Sequence, residues 1–299
     1  MSGIRTAQCN GITLAYETLG DPDDVPILLV MGLGTQMLAW PDEFCAMLVE
    51  RGHYVIRFDN RDMGLSTHLD DAAKAQPVAA FLGRRPLYLL TDMAADTADL
   101  IGELGLPSVH VVGVSMGGCI SQELTLARPD LIRSLTSMSS STASRRVGRP
   151  RFDIAARMVT AKRAADREQA IEMSLATWRR IGSPGYPLDV DRVRRMAGIA
   201  YDRRYDPRGG ARQFAAILGT PDRTARLRQV SVPTLVLHGE ADPLIGVSGG
   251  RATAAAIPGS RLVTFPGMGH DLPEALWSRF VEEITAVVAL GEARKVGPV

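Results

Sequence analysis

Apolar and polar positions follow two different periods along this chain. Residues 12–19 alternate at every second position, and the later apolar runs have the length of buried strands: PILLVMG, HYVIRFD, SVHVVGV, RSLTSMS, PTLVLHG and RLVTF. The segments between them repeat apolar residues every three to four positions, as in FCAMLVERG, MAADTADLIGELG, SMGGCISQELTLARPDLI, GRATAAAIPG and EALWSRFVEEITAVVAL. This order predicts an α/β fold, with a mostly parallel sheet flanked by helices. We expect Thr91 or Asp92 to cap the second helix and the tail from residue 291 to fray.

Residues 142–228 interrupt this alternation. They lack strand signals, are mostly helical in period, and carry 20 Lys or Arg against 9 Asp or Glu, although the formal charge of all 299 residues is +1. A charge difference of this size marks a separate unit. We therefore predict an α/β core made of residues 1–141 and 229–299, and an inserted helical, Arg-rich cap at 142–228, called the cap segment below.

Cysteine usage and the start of the chain bear on the compartment. Cys9, Cys45 and Cys119 are scattered and odd in number, which indicates neither a disulfide framework nor a zinc site. The first residues show no apolar signal region, and no apolar run approaches the ~20 residues that span a bilayer. The sequence predicts a cytoplasmic protein without membrane insertion and without a nucleic-acid partner.

Ser115 stands between two glycines in GVSMG, directly after a run that reads as a buried strand. A serine on a strained strand-to-helix turn is a nucleophile elbow, which lifts the hydroxyl clear of the sheet. Gly113 and Gly117 lack the Cβ atoms that would crowd so tight a turn. A serine in a Gly-rich turn is also a common helix cap, so the motif alone leaves that alternative open.

The partners that a nucleophilic serine needs follow in the expected chain order of acid and then base. Asp242 comes just after the strand TLVLHG, and His270 lies in the Gly-rich loop after the strand RLVTF. Loops at the carboxyl ends of parallel strands gather at one sheet edge. We predict a Ser115–His270–Asp242 catalytic triad. Glu240 competes for the acid role, but it lies farther from the loop.

Other polar residues have simpler explanations. His53, His68, His110 and His238 fall in strands or an early loop and lack the position of a triad base. The loop DNRDMGLST contains charged residues that could suggest a metal or phosphate site. We favour a turn whose polar side chains bond to nearby backbone groups.

The motifs together resemble the α/β-hydrolase superfamily over nearly the whole chain. The resemblance is carried by MGLG, RFDNRDMGLST, GVSMGG, HGEADP and PGMGHDLP, and it is strongest to actinobacterial serine esterases related to aclacinomycin methylesterase. It implies an oxyanion hole built from the backbone N–H groups of Leu33 and Met116. The usual His-Gly at the start of the oxyanion loop is Met31-Gly32 here, so what orients this loop is open.

The resemblance implies a serine hydrolase that cleaves carboxylic esters, with a small-molecule substrate that has an apolar acyl group, and with no metal or cofactor. The same triad also serves lactonases, thioesterases, phospholipases and carbon–carbon hydrolases, and some members of this fold are non-catalytic receptors. The arginines of the cap segment suggest contact with an anionic lipid surface or anionic substrate, although simple pairing with the acidic core is the favoured explanation.

Overall fold

An eight-stranded sheet forms the centre of the computed structural model, which describes residues 3–70, 77–155 and 163–295. The strands follow the spatial order β1-β2-β4-β3-β5-β6-β7-β8. The two pairs made by β2 are antiparallel, and all pairs from β4 to β8 are parallel. Their bounds are β1 Arg5–Cys9, β2 Ile12–Leu19, β3 Val25–Val30, β4 His53–Phe58, β5 Val109–Val114, β6 Ile132–Met138, β7 Thr234–Gly239 and β8 Arg261–Phe265.

Helices cover both faces of this sheet. Their bounds are α1 Asp42–Val49, α2 Pro77–Phe81, α3 Leu90–Glu103, α4 Met116–Ala127, α5 Arg167–Ile181, α6 Val190–Arg203, α7 Pro207–Gly219, α8 Ser248–Ala256 and α9 Trp277–Lys295. One apolar cluster joins the sheet to α3 and α4, and a second joins it to α1 and α9. The middle strands β4, β5 and β7 are buried along their whole length, as expected for parallel strands covered on both faces.

The predicted α/β fold is confirmed, with corrections at the element ends. Helix α3 begins at Leu90, so neither Thr91 nor Asp92 is its N-cap; Asp92 instead accepts a hydrogen bond from the N–H of Leu89. The strand β1 was not predicted, because its apolar alternation is weak. The final helix continues through residues 291–295, the first part of the tail that was expected to fray, and residues 296–299 lie outside the described part of the chain.

Helices α5, α6 and α7 lie between β6 and β7 in the chain, where the cap segment was predicted. The described parts of this segment, 142–155 and 163–228, contain no strand. The part of its predicted helix at 156–162 lies outside the described residues. None of the helices described is both long and apolar enough to cross a membrane.

Several arginines of the cap segment bind carboxylates of the core. Arg212, only 4% exposed, donates to Asp62 at 2.6 Å, and Arg203 donates to Asp59. Arg192 reaches Glu274 at 2.6 Å. Asp59 and Asp62 are fully buried, and a buried carboxylate without a partner would be costly, so the pairs with Arg203 and Arg212 join the segment firmly to the core. The pairing that the charge asymmetry suggested is therefore present at these positions.

Candidate active site

Ser115 occupies a strained turn between β5 and α4. Its φ of 58° and ψ of −120° lie outside the regions that L-residues normally adopt. The flanking glycines are required by close packing. A Cβ on Gly117 would lie 2.1 Å from the carbonyl oxygen of Val30, and one on Gly113 would lie 2.2 Å from that of Gly117. The local geometry is that of a nucleophile elbow.

His270 and Asp242 come from the loops after β8 and β7 and meet Ser115 at the carboxyl edge of the sheet. The distance from Ser115 Oγ to His270 Nε2 is 2.9 Å, and that from His270 Nδ1 to Asp242 Oδ2 is 2.6 Å. A carboxylate can only accept, so Nδ1 carries a proton, and in the neutral imidazole Nε2 then accepts from the serine hydroxyl. The structure thus brings together the three residues predicted as a triad.

Asp242 is fixed by backbone donors. Its second oxygen, Oδ1, accepts hydrogen bonds from the N–H groups of Leu244 and Ile245, both at 2.8 Å, and its side chain is fully buried. These bonds orient Oδ2 towards His270. The competing carboxylate, Glu240, is exposed and accepts from the hydroxyl of Thr264 instead.

Three of the other four histidines, His68, His110 and His238, have structural partners. His68 lies 2.9 Å from Asp206, and His110 lies 2.8 Å from Ser134 Oγ and 3.0 Å from Glu292. Burial lowers the pKa of His110 to about 4. His238 lies in β7, where burial lowers its pKa and its Nε2–H donates to the Ile245 carbonyl. His53 is buried in β4, and this burial lowers its pKa as well.

The loop that was predicted to form the oxyanion hole is held by amide side chains. Asn60 donates to the carbonyl of Met31 at 3.0 Å, and the buried Gln213 of α7 accepts from the N–H of Gly34 at 2.9 Å. These two bonds hold the loop in place, although Met31 stands where a histidine is usual. Leu33 and Met116, the predicted oxyanion donors, both line the cavity at Ser115, and Met116 opens α4, where first-turn N–H groups lack helical partners.

The DNRDMGLST loop is a structural turn, as predicted. Asp59 accepts from the N–H groups of Met37 and Leu65, and Ser66 donates to the Asp59 carbonyl. The sequence did not predict that arginines of the cap segment would bind the same loop. Only the charge asymmetry pointed towards such contacts, without naming the partners.

Three residues at the edge of this loop have the spacing of metal ligands. Ligand atoms of His68, Asp70 and Asp206 lie within 4.8 Å of one another. Arg212, however, approaches Asp206 at 3.3 Å, and Arg204 approaches Asp70 at 2.5 Å. Guanidinium groups therefore already provide the cations in this cluster, which fits a metal ion poorly.

A cavity of about 2050 Å³ opens in front of Ser115. Its walls come from the core and from α5, α6 and α7 of the cap segment, and its lining is mainly apolar, with Met173, Trp178, Met196 and Phe214 among the contributors. Typical small-molecule pockets are about 300–1,000 Å³. The site therefore has room for a substrate considerably larger than a short acyl ester.

Comparisons with known proteins agree with the fold described above. A family model described as the α/β hydrolase fold matches residues 25–274. Rhodomycin D methylesterase DnrP of Streptomyces peucetius is 31% identical over 294 residues, covering 92% of this chain and 94% of the relative. The crystal structure of a hydrolase from Pseudomonas aeruginosa superposes with a TM-score of 0.70 at 26% identity, covering 96% of this chain and 97% of the other.

The crystal structure of an enol-lactonase from Burkholderia xenovorans is also similar in fold. It has a TM-score of 0.75 at 24% identity and covers 95% of this chain and all of the other, a likeness that concerns the fold alone. The family match spans most of the chain, and the methylesterase covers nearly all of it. This chain belongs to the α/β-hydrolase family.

Proposed function

We propose that this chain is a serine hydrolase that cleaves carboxylic esters through an acyl-enzyme on Ser115. The observation that carries the proposal is the continuous hydrogen-bonded path from Ser115 through His270 to Asp242. The 31% identity to a protein named as a methylesterase supports ester bonds as the target. A helix cap would not need a serine in a strained turn with an imidazole aimed at its hydroxyl.

In the first half-reaction, Ser115 Oγ attacks the ester carbonyl carbon while His270 Nε2 takes the hydroxyl proton. Asp242 stabilises the imidazolium that forms, because its oxygen already accepts the Nδ1–H. The carbonyl oxygen becomes an oxyanion, which the N–H groups of Leu33 and Met116 would bind. One such donor contributes about 3–4 kcal/mol to the transition state.

Collapse of the tetrahedral intermediate releases the alcohol, which receives the proton from His270 Nε2. Water then attacks the acyl-enzyme, with His270 again acting as general base, and the acid leaves as Ser115 regains its proton. Every proton moves through the one nitrogen that faces the serine.

The cavity supports a small-molecule ester with a large apolar part as the substrate. We propose that residues 142–228 act as a cap whose helices α5, α6 and α7 form the outer wall, while the core residues at the sheet edge supply the chemistry. The volume of about 2050 Å³ and the mainly apolar walls favour a bulky, hydrophobic group on one side of the ester. Its burial supplies binding energy in proportion to the apolar area covered.

The test is hydrolysis of p-nitrophenyl esters of two to sixteen carbons by the wild type and by Ser115→Ala. The proposal predicts a serine-dependent activity that falls at least about 10³-fold in the variant. Ser278→Ala, on the exposed surface of α9, is the matched control and should retain full activity. Retention of most activity by folded Ser115→Ala would disprove the proposed role.

A further inference from the structure

A turn of the cap segment is bonded directly to the loop that carries His270. The turn comprises residues 181–185, from the last residue of α5 towards α6, and the histidine loop comprises residues 267–271, after β8. The His270 N–H donates to the Ile181 carbonyl at 2.7 Å, and the Gly185 N–H donates to the Gly267 carbonyl at 2.9 Å. Two backbone bonds therefore join the base to the cap segment.

Ser183 adds two side-chain bonds to this contact. Its Oγ accepts from the N–H of Gly269 at 2.8 Å, and its hydroxyl donates to the carboxylate of Asp271. These partners are the residues on either side of His270. Burial raises the pKa of Asp271, and the hydroxyl of Ser183 opposes that rise by stabilising the carboxylate.

The glycines of the two segments are explained by how closely the segments approach each other. A Cβ on Gly269 would lie 2.2 Å from the carbonyl oxygen of Gly182, and one on Gly185 would lie 2.8 Å from the Cα of Gly267. Any larger side chain at either place would push the turn away from the loop. The spacing is set by backbone against backbone, so it leaves little freedom for the loop to shift.

We propose that Ser183 is a positioning residue that sets the place of His270, so that the turn of the cap segment is part of the catalytic assembly. The inference rests on the proposed role of His270 as the general base. The imidazole must keep its 2.9 Å contact to Ser115 at one end and its 2.6 Å contact to Asp242 at the other. Ser183 bonds to Gly269 and Asp271, the two neighbours of His270, and so helps to hold the loop from which the ring makes both contacts.

The cap segment therefore does more than close the substrate cavity. A shift of the turn by 1 Å would move the His270 backbone with it, and misplacement of that size can cost about 10²-fold in rate. Substrate binding would be less affected, because Ser183 and the glycines at 185, 267 and 269 are not among the residues that line the cavity. A positioning role thus predicts loss in kcat with KM retained.

The experiment compares Ser183→Ala with Ser183→Thr, which keeps the hydroxyl, and with Ser278→Ala as a surface control. We expect Ser183→Ala to lower kcat about 10- to 100-fold with KM within about twofold of the wild type. The threonine variant should recover most of the loss. Phosphonylation of Ser115 by a fluorophosphonate should slow by the same factor as kcat, because both reactions use the His270 base.

Three outcomes would overturn the positioning role. The first is wild-type kcat in folded Ser183→Ala. The second is a loss that appears in KM, and the third is a loss that the threonine variant does not recover. If Ser183→Ala does not fold, Ser183→Cys carries the same test, since a thiol is a weak donor and acceptor of similar size.

The Ser115→Ala variant, measured in parallel, keeps the two proposals distinct. Full hydrolysis by Ser115→Ala would mean that the serine-esterase proposal fails. An inactive Ser115→Ala together with a fully active Ser183→Ala would mean that only the positioning role fails.

Discussion

Replacing Asp242 by asparagine tests the orientation of the proposed triad without changing its shape. Asp242 Oδ1 accepts from the N–H groups of Leu244 and Ile245, so the amide oxygen of the new side chain would keep those two bonds. The amide NH₂ would then face His270 Nδ1, where the carboxylate oxygen now lies at 2.6 Å. A donor at that place forces Nδ1 to accept and moves the ring proton to Nε2.

The expected loss of activity follows from the change in the tautomer of His270. With its proton on Nε2, His270 can no longer accept the proton of Ser115. In serine proteases the equivalent substitution preserves the geometry and lowers kcat about 10⁴-fold. The same donor and acceptor arrangement here predicts a loss of about 10³- to 10⁴-fold, equivalent to about 4–5 kcal/mol in the activation barrier.

The assay is steady-state hydrolysis of a p-nitrophenyl ester, with thermal unfolding to show that the variant is folded. Glu240→Gln is the matched control, because Glu240 is an exposed carboxylate two residues away and bonds to Thr264. We expect Glu240→Gln to be as active as the wild type. More than about a tenth of wild-type kcat in folded Asp242→Asn would refute the reasoning, as would a large loss in Glu240→Gln.

Three further predictions concern the core and its contacts. Arg212→Ala leaves the buried Asp62 without its ion pair and should lower the free energy of unfolding by about 3–5 kcal/mol, measured in urea; a change under 1 kcal/mol would contradict this. Gln213→Ala frees the N–H of Gly34 and should lower kcat about tenfold or more with KM retained, whereas an unchanged kcat would exclude a bracing role. Burial lowers the pKa of His110 from 6.5 to about 4, so on acidification the imidazole is protonated in the unfolded chain before it is protonated in the folded one. The free energy of unfolding should therefore fall by up to about 3 kcal/mol between pH 6.5 and pH 4. An equally steep fall in the free energy of unfolding of His110→Asn would show that other groups cause the loss.

The central architecture was predictable because it depends on local signals. Apolar runs of strand length and helical periods gave nearly every core element, and the glycines around Ser115 marked the elbow because so tight a turn leaves no room for a Cβ at either position. Asp242 and His270 each follow a strand, in the chain order expected of a triad. The sequence therefore already placed both side chains at the same edge of the sheet. These inferences need no knowledge of distant contacts.

The contacts of the cap segment could not be predicted in the same way. Ser183 is 86 residues from Gly269 in the chain, and Gln213 is 179 residues from Gly34. Neither residue belongs to a recognisable motif, and a single hydroxyl or amide side chain has no sequence periodicity from which its partner could be inferred. The charge asymmetry suggested ion pairs between arginines of the cap segment and acidic residues of the core, but it did not identify Asp62 as the partner of Arg212.

The most direct test of the account is to identify the residue that becomes covalently modified. The protein is treated with a fluorophosphonate and digested, and the labelled peptide is sequenced by mass spectrometry. The account predicts one label per chain, on Ser115, with none on the Ser115→Ala variant. Labelling of a different residue, or no labelling of folded protein, would contradict the proposal that Ser115 is the nucleophile.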